Sequence, residues 1–152
     1  MGNVGLVESL PSYAQHKETM EAHELNKQGK ELLKEGCIDK ALKKFEEAIK
    51  IKPEYAEAHK NLGDAYVCSN RFKDGITEYK EAIGLNKAYA EAYKNLGNVY
   101  SIIKSFDEAI LAYKGAIKIN PDFSEAQYQL AFIYLFLNRS DEAITHYKET
   151  IR

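Results

Sequence analysis

The sequence predicts an all-α solenoid of antiparallel helix pairs, and three observations carry that prediction. A segment recurs at a fixed spacing: "AHKNLGDAY" (58–66) returns as "AYKNLGNVY" (92–100), 34 residues on, with six of nine positions identical. Within each recurring unit apolar residues fall at helical spacing, as Leu96, Val99, Tyr100 and Ile103 do. Between the two helical segments of each unit lies a short breaker: "KEGC" (34–37), "CSNR" (68–71), "IKSF" (103–106) and "LNRS" (137–140). A period in the range of about 20–50 residues with two helices per unit implies stacked units that share one core.

The register holds through the whole array. In the first helix of each unit Leu62, Leu96 and Leu130 align, as do Gly29, Gly63, Gly97 and Ala131, and Leu32, Tyr66, Tyr100 and Tyr134. In the second helix the aligned sets are Ala41, Gly75, Ala109 and Ala143, then Phe45, Tyr79, Tyr113 and Tyr147, then Ala48, Ala82 and Ala116. The small residues fall where two helix backbones must approach closely, with Tyr66, Tyr100, Tyr79 and Tyr113 expected to fill the gaps. Asp39, Asp107 and Asp141 sit at or near the start of the second helix, placed to cap free amides and complement the dipole. Pro53 and Pro121 stop that helix, with Lys87 at the equivalent place between them.

These residues make the chain resemble a tetratricopeptide-repeat (TPR) protein, which implies a right-handed solenoid. Three whole units run 22–55, 56–89 and 90–123, and an incomplete fourth runs 124–152, together 131 of the 152 residues. Residues 1–21 form an N-terminal segment outside the repeats; 12–20 are expected to extend the first helix backwards from Pro11, and 1–10 to be disordered. Trp is absent. Gly75, Gly84 and Gly115 fall inside second helices, where each costs about 0.5–1 kcal/mol relative to Ala and should soften them.

Composition narrows the function. Lys plus Arg is 21 and Asp plus Glu 23, for a net charge of -2, so the basic excess of a dedicated nucleic-acid binder is missing. Cys37 and Cys68 form neither a disulfide framework nor a CxxC metal pair, and two lone thiols suit a reducing compartment. The start, "MGNVGLVESLPSYAQ", lacks a signal-peptide pattern, and Leu6 stands where a myristoylation motif wants Ser or Thr. No apolar run approaches the about 20 residues of a membrane span. The expectation is a cytoplasmic protein without membrane insertion. His16, His23, His59 and His146 show no metal spacing with each other or with the cysteines, and no Ser-His-Asp or Cys-His signature is present. No catalytic residue, cofactor or metal is expected.

The first helices of such a solenoid line its concave face. Projecting the register turns inward Asn26, Lys27 and Lys30, then Lys60, Asn61 and Asp64, then Lys94, Asn95, Asn98 and Ile102, then Tyr128, Gln129, Phe132, Leu135 and Phe136. The groove thus grades from polar to aromatic. By resemblance, Asn61 and Asn95 match the asparagines with which some TPR superhelices hold a peptide backbone, a task suited to a carboxamide that donates and accepts. The resemblance also allows a test against the carboxylate clamp of chaperone-tail receptors. Read from the first unit, its positions are Asn26, Lys30, Asn61, Glu91 and Asn95, of which only Asn61 fits. Read from the second they are Lys60, Asp64, Asn95, Glu125 and Gln129, of which Lys60 and Asn95 fit, and Glu91 and Glu125 would repel a carboxylate.

The expected function is a non-catalytic interaction module that takes a peptide or protein segment in its groove. Lys60, Asn61, Asp64, Lys94, Asn95, Asn98, Tyr128, Gln129, Phe132 and Phe136 are its candidate contacts. No polar capping helix follows the fourth unit within the sequence, and "YQLAFIYLFL" carries more apolar surface than a helix pair needs. Three outcomes are open there: cover by the last helix, a peptide anchor, or end-to-end packing against a second copy. The last would make the chain a self-assembling scaffold.

Overall fold

Each breaker in the sequence becomes a tight turn between antiparallel helices. The computed structural model describes residues 4–151, with side chains from residue 12 onward. Eight helices and no strand are found among them: α1 Val4–Lys34, α2 Ile38–Ile51, α3 Ala56–Cys68, α4 Phe72–Leu85, α5 Ala90–Ile102, α6 Phe106–Ile119, α7 Ser124–Phe136 and α8 Ser140–Ile151. Pairs α1–α2, α3–α4, α5–α6 and α7–α8 pack tightly, each second helix packs on the next pair, and the first helices α1, α3, α5 and α7 also touch in succession. That last contact lines one face of the stack with first helices only.

The helix-pair turns share one geometry. Gly36, Asn70, Lys104 and Asn138 adopt positive φ of 79°, 60°, 62° and 60°. The following N–H groups of Cys37, Arg71, Ser105 and Arg139 reach back to the carbonyls of Leu32, Tyr66, Tyr100 and Tyr134 at 2.7–2.9 Å. This left-handed closure satisfies carbonyls that the helix end leaves free. The second helices start without side-chain caps at Cys37, Arg71 and Ser105. Asp39 and Asp107 therefore complement the dipole from the first turn and do not act as caps. Second helices α2, α4 and α6 end where the N–H groups of Lys52, Asn86 and Asn120 return to Ala48, Ala82 and Ala116 at 2.9 Å.

Glycine sets how closely each pair meets. A Cβ on Gly29, Gly63 or Gly97 would lie 2.5, 2.8 or 2.7 Å from the ring of Phe45, Tyr79 or Tyr113, so these rings rest directly on the partner helix backbone. Tyr66 and Tyr100 do not fill those gaps; they pack half-buried into the clusters between successive pairs. Gly115 is required by Tyr93, whose ring would stand 2.6 Å from an added Cβ, and Gly75 by Val67 at 2.8 Å. Of the glycines inside second helices only Gly84 has open space around it, so there glycine costs stability without a packing return.

At the N-terminus α1 runs through Ser12–Met20 into the first repeat, and Pro11 lies inside the helix, not at its start. The expected disorder of 1–10 lies outside the described residues for 1–3, whereas the backbone from Val4 is helical, in keeping with the helix formers Leu6, Glu8 and Leu10. No helix among the described residues is long and apolar enough to cross a membrane.

Candidate functional site

The concave face divides into a polar floor that is already bonded and an apolar end that is not. At the polar end the Asn26 amide donates to the Tyr55 hydroxyl and to Glu57, at 3.1 and 3.3 Å. Asn61 is only 4% exposed and donates to Asn26 at 2.9 Å. Lys60 bridges Asp64 at 3.0 Å and Glu91 of the next repeat at 3.2 Å. Asp64 also accepts from the Tyr79 hydroxyl at 2.6 Å and from the Asn95 amide at 2.9 Å. Lys94 holds Glu125 at 3.2 Å, and the Tyr113 hydroxyl donates to Asn98 at 2.6 Å.

A regular inter-repeat ladder results. The residue at 26, 60 and 94 meets the acid at 57, 91 and 125, one repeat further along. Thus Lys60, Asn61, Asp64, Lys94, Asn95 and Asn98 all face the groove side of their helices, yet each is engaged by a neighbour within the fold. Lys60 and Lys94 are paired rather than offered. Burial pushes the Lys60 ammonium down, but Asp64 and Glu91 outweigh it and raise its pKa, so it stays charged. Burial and the Asp64 charge hold the Tyr79 hydroxyl far above its usual range. Burial likewise pushes Tyr113 up to about 12, with Glu125 adding to the shift and the Ser101 hydrogen bond opposing it.

The fourth repeat breaks the ladder. Tyr128 stands where Lys60 and Lys94 stand, and Phe132 where Asp64 and Asn98 receive a tyrosine hydroxyl. Tyr128 is 50% exposed and meets Tyr147 edge-on at 5.9 Å; Phe132 and Phe136 are 53% and 64% exposed. With Ile102, at 55%, and the half-buried Phe106 and Gln129, the two phenylalanines wall an apolar pocket of about 270 Å³ between the end of α5 and the outer turns of α7. Phe106 and Phe136 rings lie 5.1 Å apart. Helix α8 leaves these side chains open, so the first of the three outcomes expected for this end does not occur. Sequence projection found Ile102, Phe132 and Phe136 but missed Phe106 and Lys104, which come from the turn and the start of α6. The aromatic start of α4, Phe72 at the position equivalent to Phe106, was the available signal.

Away from the groove, His59 is buried with both ring nitrogens facing acceptors, the Glu78 carboxylate at 2.6 Å and the Pro53 carbonyl at 2.8 Å. A ring that donates from both nitrogens, the imidazolium form, satisfies both acceptors, and its pKa is raised accordingly. Among the described residues no group of three or more His, Cys, Asp or Glu is arranged to hold a metal ion.

Profiles described as TPR repeat match residues 29–68 and 63–101, and profiles described as tetratricopeptide repeat match 90–123 and 112–145. The chain belongs to the tetratricopeptide repeat family. Two solved structures of MamA superimpose on this TPR chain. One has 27% identity and a TM-score of 0.82, covering 99% of this chain and 94% of that one. The other has 31% identity and a TM-score of 0.79, covering 86% and 71%. The first TPR of Spaghetti (RPAP3), bound to the HSP90 peptide SRMEEVD, shares the TPR fold at 23% identity and a TM-score of 0.76, over 79% of this chain and 95% of that one. A comparison with curated protein sequences found no match. As a TPR solenoid, the chain is a protein–protein interaction module.

Proposed function

We propose that this TPR module binds a peptide or protein segment in its concave groove, anchored by an apolar side chain in the pocket of Ile102, Phe106, Phe132 and Phe136. One observation carries the reading. Lys60, Asn61, Asp64, Lys94, Asn95 and Asn98 are each bonded within the fold, whereas the exposed Ile102, Phe132 and Phe136 share a recess of about 270 Å³. Exposed aromatic clusters with a pocket between them are the usual anchors of protein contacts. Gln129, at the pocket wall, is the carboxamide best placed to meet a bound backbone. Asn61 and Asn95 then act on the ligand indirectly, by holding the first helices in register. The module is proposed to work without cofactor or catalysis. The free thiols Cys37 and Cys68 favour the cytoplasm as its compartment.

The test is selection of binders from a random 12-mer peptide library, followed by titration against Phe132→Asp, Phe136→Ala and Asn61→Ala. The expected result is loss of binding in Phe132→Asp and Phe136→Ala with normal melting curves, while Asn61→Ala lowers the melting temperature and leaves affinity near wild type at low temperature. Binders unaffected by both phenylalanine variants would remove the pocket from the account.

A separate observation favours the self-assembling alternative. Ile144 is 50% exposed on α8, although the equivalent Ile110 is 6% exposed beneath the following repeat. An exposed apolar side chain of this kind is suited to contact with a second copy of the chain.

A further inference from the structure

We propose that Lys104 is a ligand-binding residue, pairing with a carboxylate that the partner segment carries beside its apolar anchor. The inference rests on the groove reading above and specifies the partner's chemistry. Lys104 sits at φ 62°, in the left-handed region, where the other three turns place Gly36, Asn70 and Asn138. Glycine and asparagine accept that conformation readily, and lysine does so under strain. The same Lys104 contributes to the wall of the pocket formed by Ile102, Phe106, Phe132 and Phe136.

Its charge is also uncompensated. Lys30, Lys60 and Lys94 on the groove floor are each held by a carboxylate, whereas no ion pair joins Lys104 to any acid among the described residues, Asp107 and Glu108 of α6 included. A residue serving only the turn would be better as asparagine, as at Asn70 and Asn138. A single free ammonium at the rim of an apolar pocket fits a bulky apolar side chain with one Asp or Glu next to it. It does not fit a tail of several carboxylates, because Lys30, Lys60 and Lys94 are already held by Glu57, Asp64, Glu91 and Glu125, and Lys27 stands two repeats away from the pocket.

The experiment uses a panel of synthetic 12-mers in a Gly/Ser/Thr background. Each carries Leu, Phe or Met at one position and Glu, Gln or Lys at one to three positions away. Affinities for the wild type, Lys104→Asn, Lys104→Met and Phe132→Asp are read by fluorescence polarisation, with a thermal melt of each. The wild type is expected to prefer Glu over Gln over Lys, by about two- to fivefold per step for an exposed ion pair. In Lys104→Asn and Lys104→Met the preference disappears, while Lys104→Asn melts at the same or a higher temperature. A Glu preference that survives both Lys104 variants overturns the assignment of Lys104 and leaves the pocket standing. Failure of every member to bind the wild type, or equal binding to Phe132→Asp, overturns the pocket itself.

Discussion

Gly97 shows how a single missing Cβ decides where two helices meet. The Tyr113 ring occupies the space, and no rotamer change frees it because the ring is wholly buried. Gly97→Ala is expected to destabilise the fold by about 1–3 kcal/mol through overpacking, read as a lower urea midpoint at unchanged m-value. Asn61 has a different task. Removing its amide in Asn61→Ala leaves the Asn26 carbonyl oxygen without its inter-repeat donor, which should cost about 1–2 kcal/mol. His59 makes stability depend on pH. Burial alone would lower its pKa, but the hydrogen bonds to Glu78 and Pro53 and the charges of Glu78 and Glu81 outweigh that and raise it. A raised folded pKa means the stabilising contribution is complete below the unfolded value of 6.5 and is lost as pH rises through the folded value. His146 runs the other way. Burial first, and then the Lys114 charge, lower its pKa against the pull of Glu149, so its contribution fades as pH falls below 6.5. Chemical denaturation from about pH 6 to about pH 9 should show declining stability in the wild type and a flatter profile in His59→Gln.

At the scale of elements, second helices differ in how far their glycines are needed. Gly84→Ala is expected to stabilise α4 by about 0.5–1 kcal/mol, and Gly115→Ala to destabilise α6, because only Gly115 makes room for a ring. Differential scanning calorimetry of the two variants should move Tm in opposite directions. The helix pairs themselves were legible in the sequence, since Leu, Gly, Tyr and Ala recur at 34-residue spacing and scaffold positions are dictated by neighbours in the same register. Bonding of the groove side chains was not. Sequence projection leaves the amides of Asn61 and Asn95 free for a ligand, but what consumes them is Asn26 and Asp64, each in the preceding repeat. The strain at Lys104 was equally hidden, because a breaker of four residues does not reveal which one takes positive φ. Phe132 and Phe136 were visible for the opposite reason: excess apolar residues at positions that hold polar ones elsewhere need no partner to be noticed.

For the whole molecule, the two ends of the stack are unlike. Ala58, Ala92 and Ala126, with Leu62, Leu96 and Leu130, bury themselves against the preceding repeat. The equivalent residues of the first repeat are Glu24 and Gln28, hydrogen-bonded to each other at 3.1 Å. The α1 end thus presents Glu24 and Gln28 where the later repeats carry alanine and leucine, with Tyr13 and Met20 of α1 exposed. The proposed self-association pairs two α8 ends through Ile144 and closes as a dimer. Light scattering over a concentration series should therefore reach no species larger than a dimer, and Ile144→Glu should abolish that dimer; higher oligomers growing with concentration would contradict it.

NMR shift mapping with a selected 12-mer peptide asks whether the apolar pocket of Ile102, Phe106, Phe132 and Phe136, and not the bonded polar floor, takes the ligand. Shifts are expected to concentrate on Ile102, Lys104, Phe106, Gln129, Phe132 and Phe136, with Asn26, Asn61 and Lys60 little changed. Shifts centred on Asn61 and Asn95, with the phenylalanines silent, would contradict that expectation.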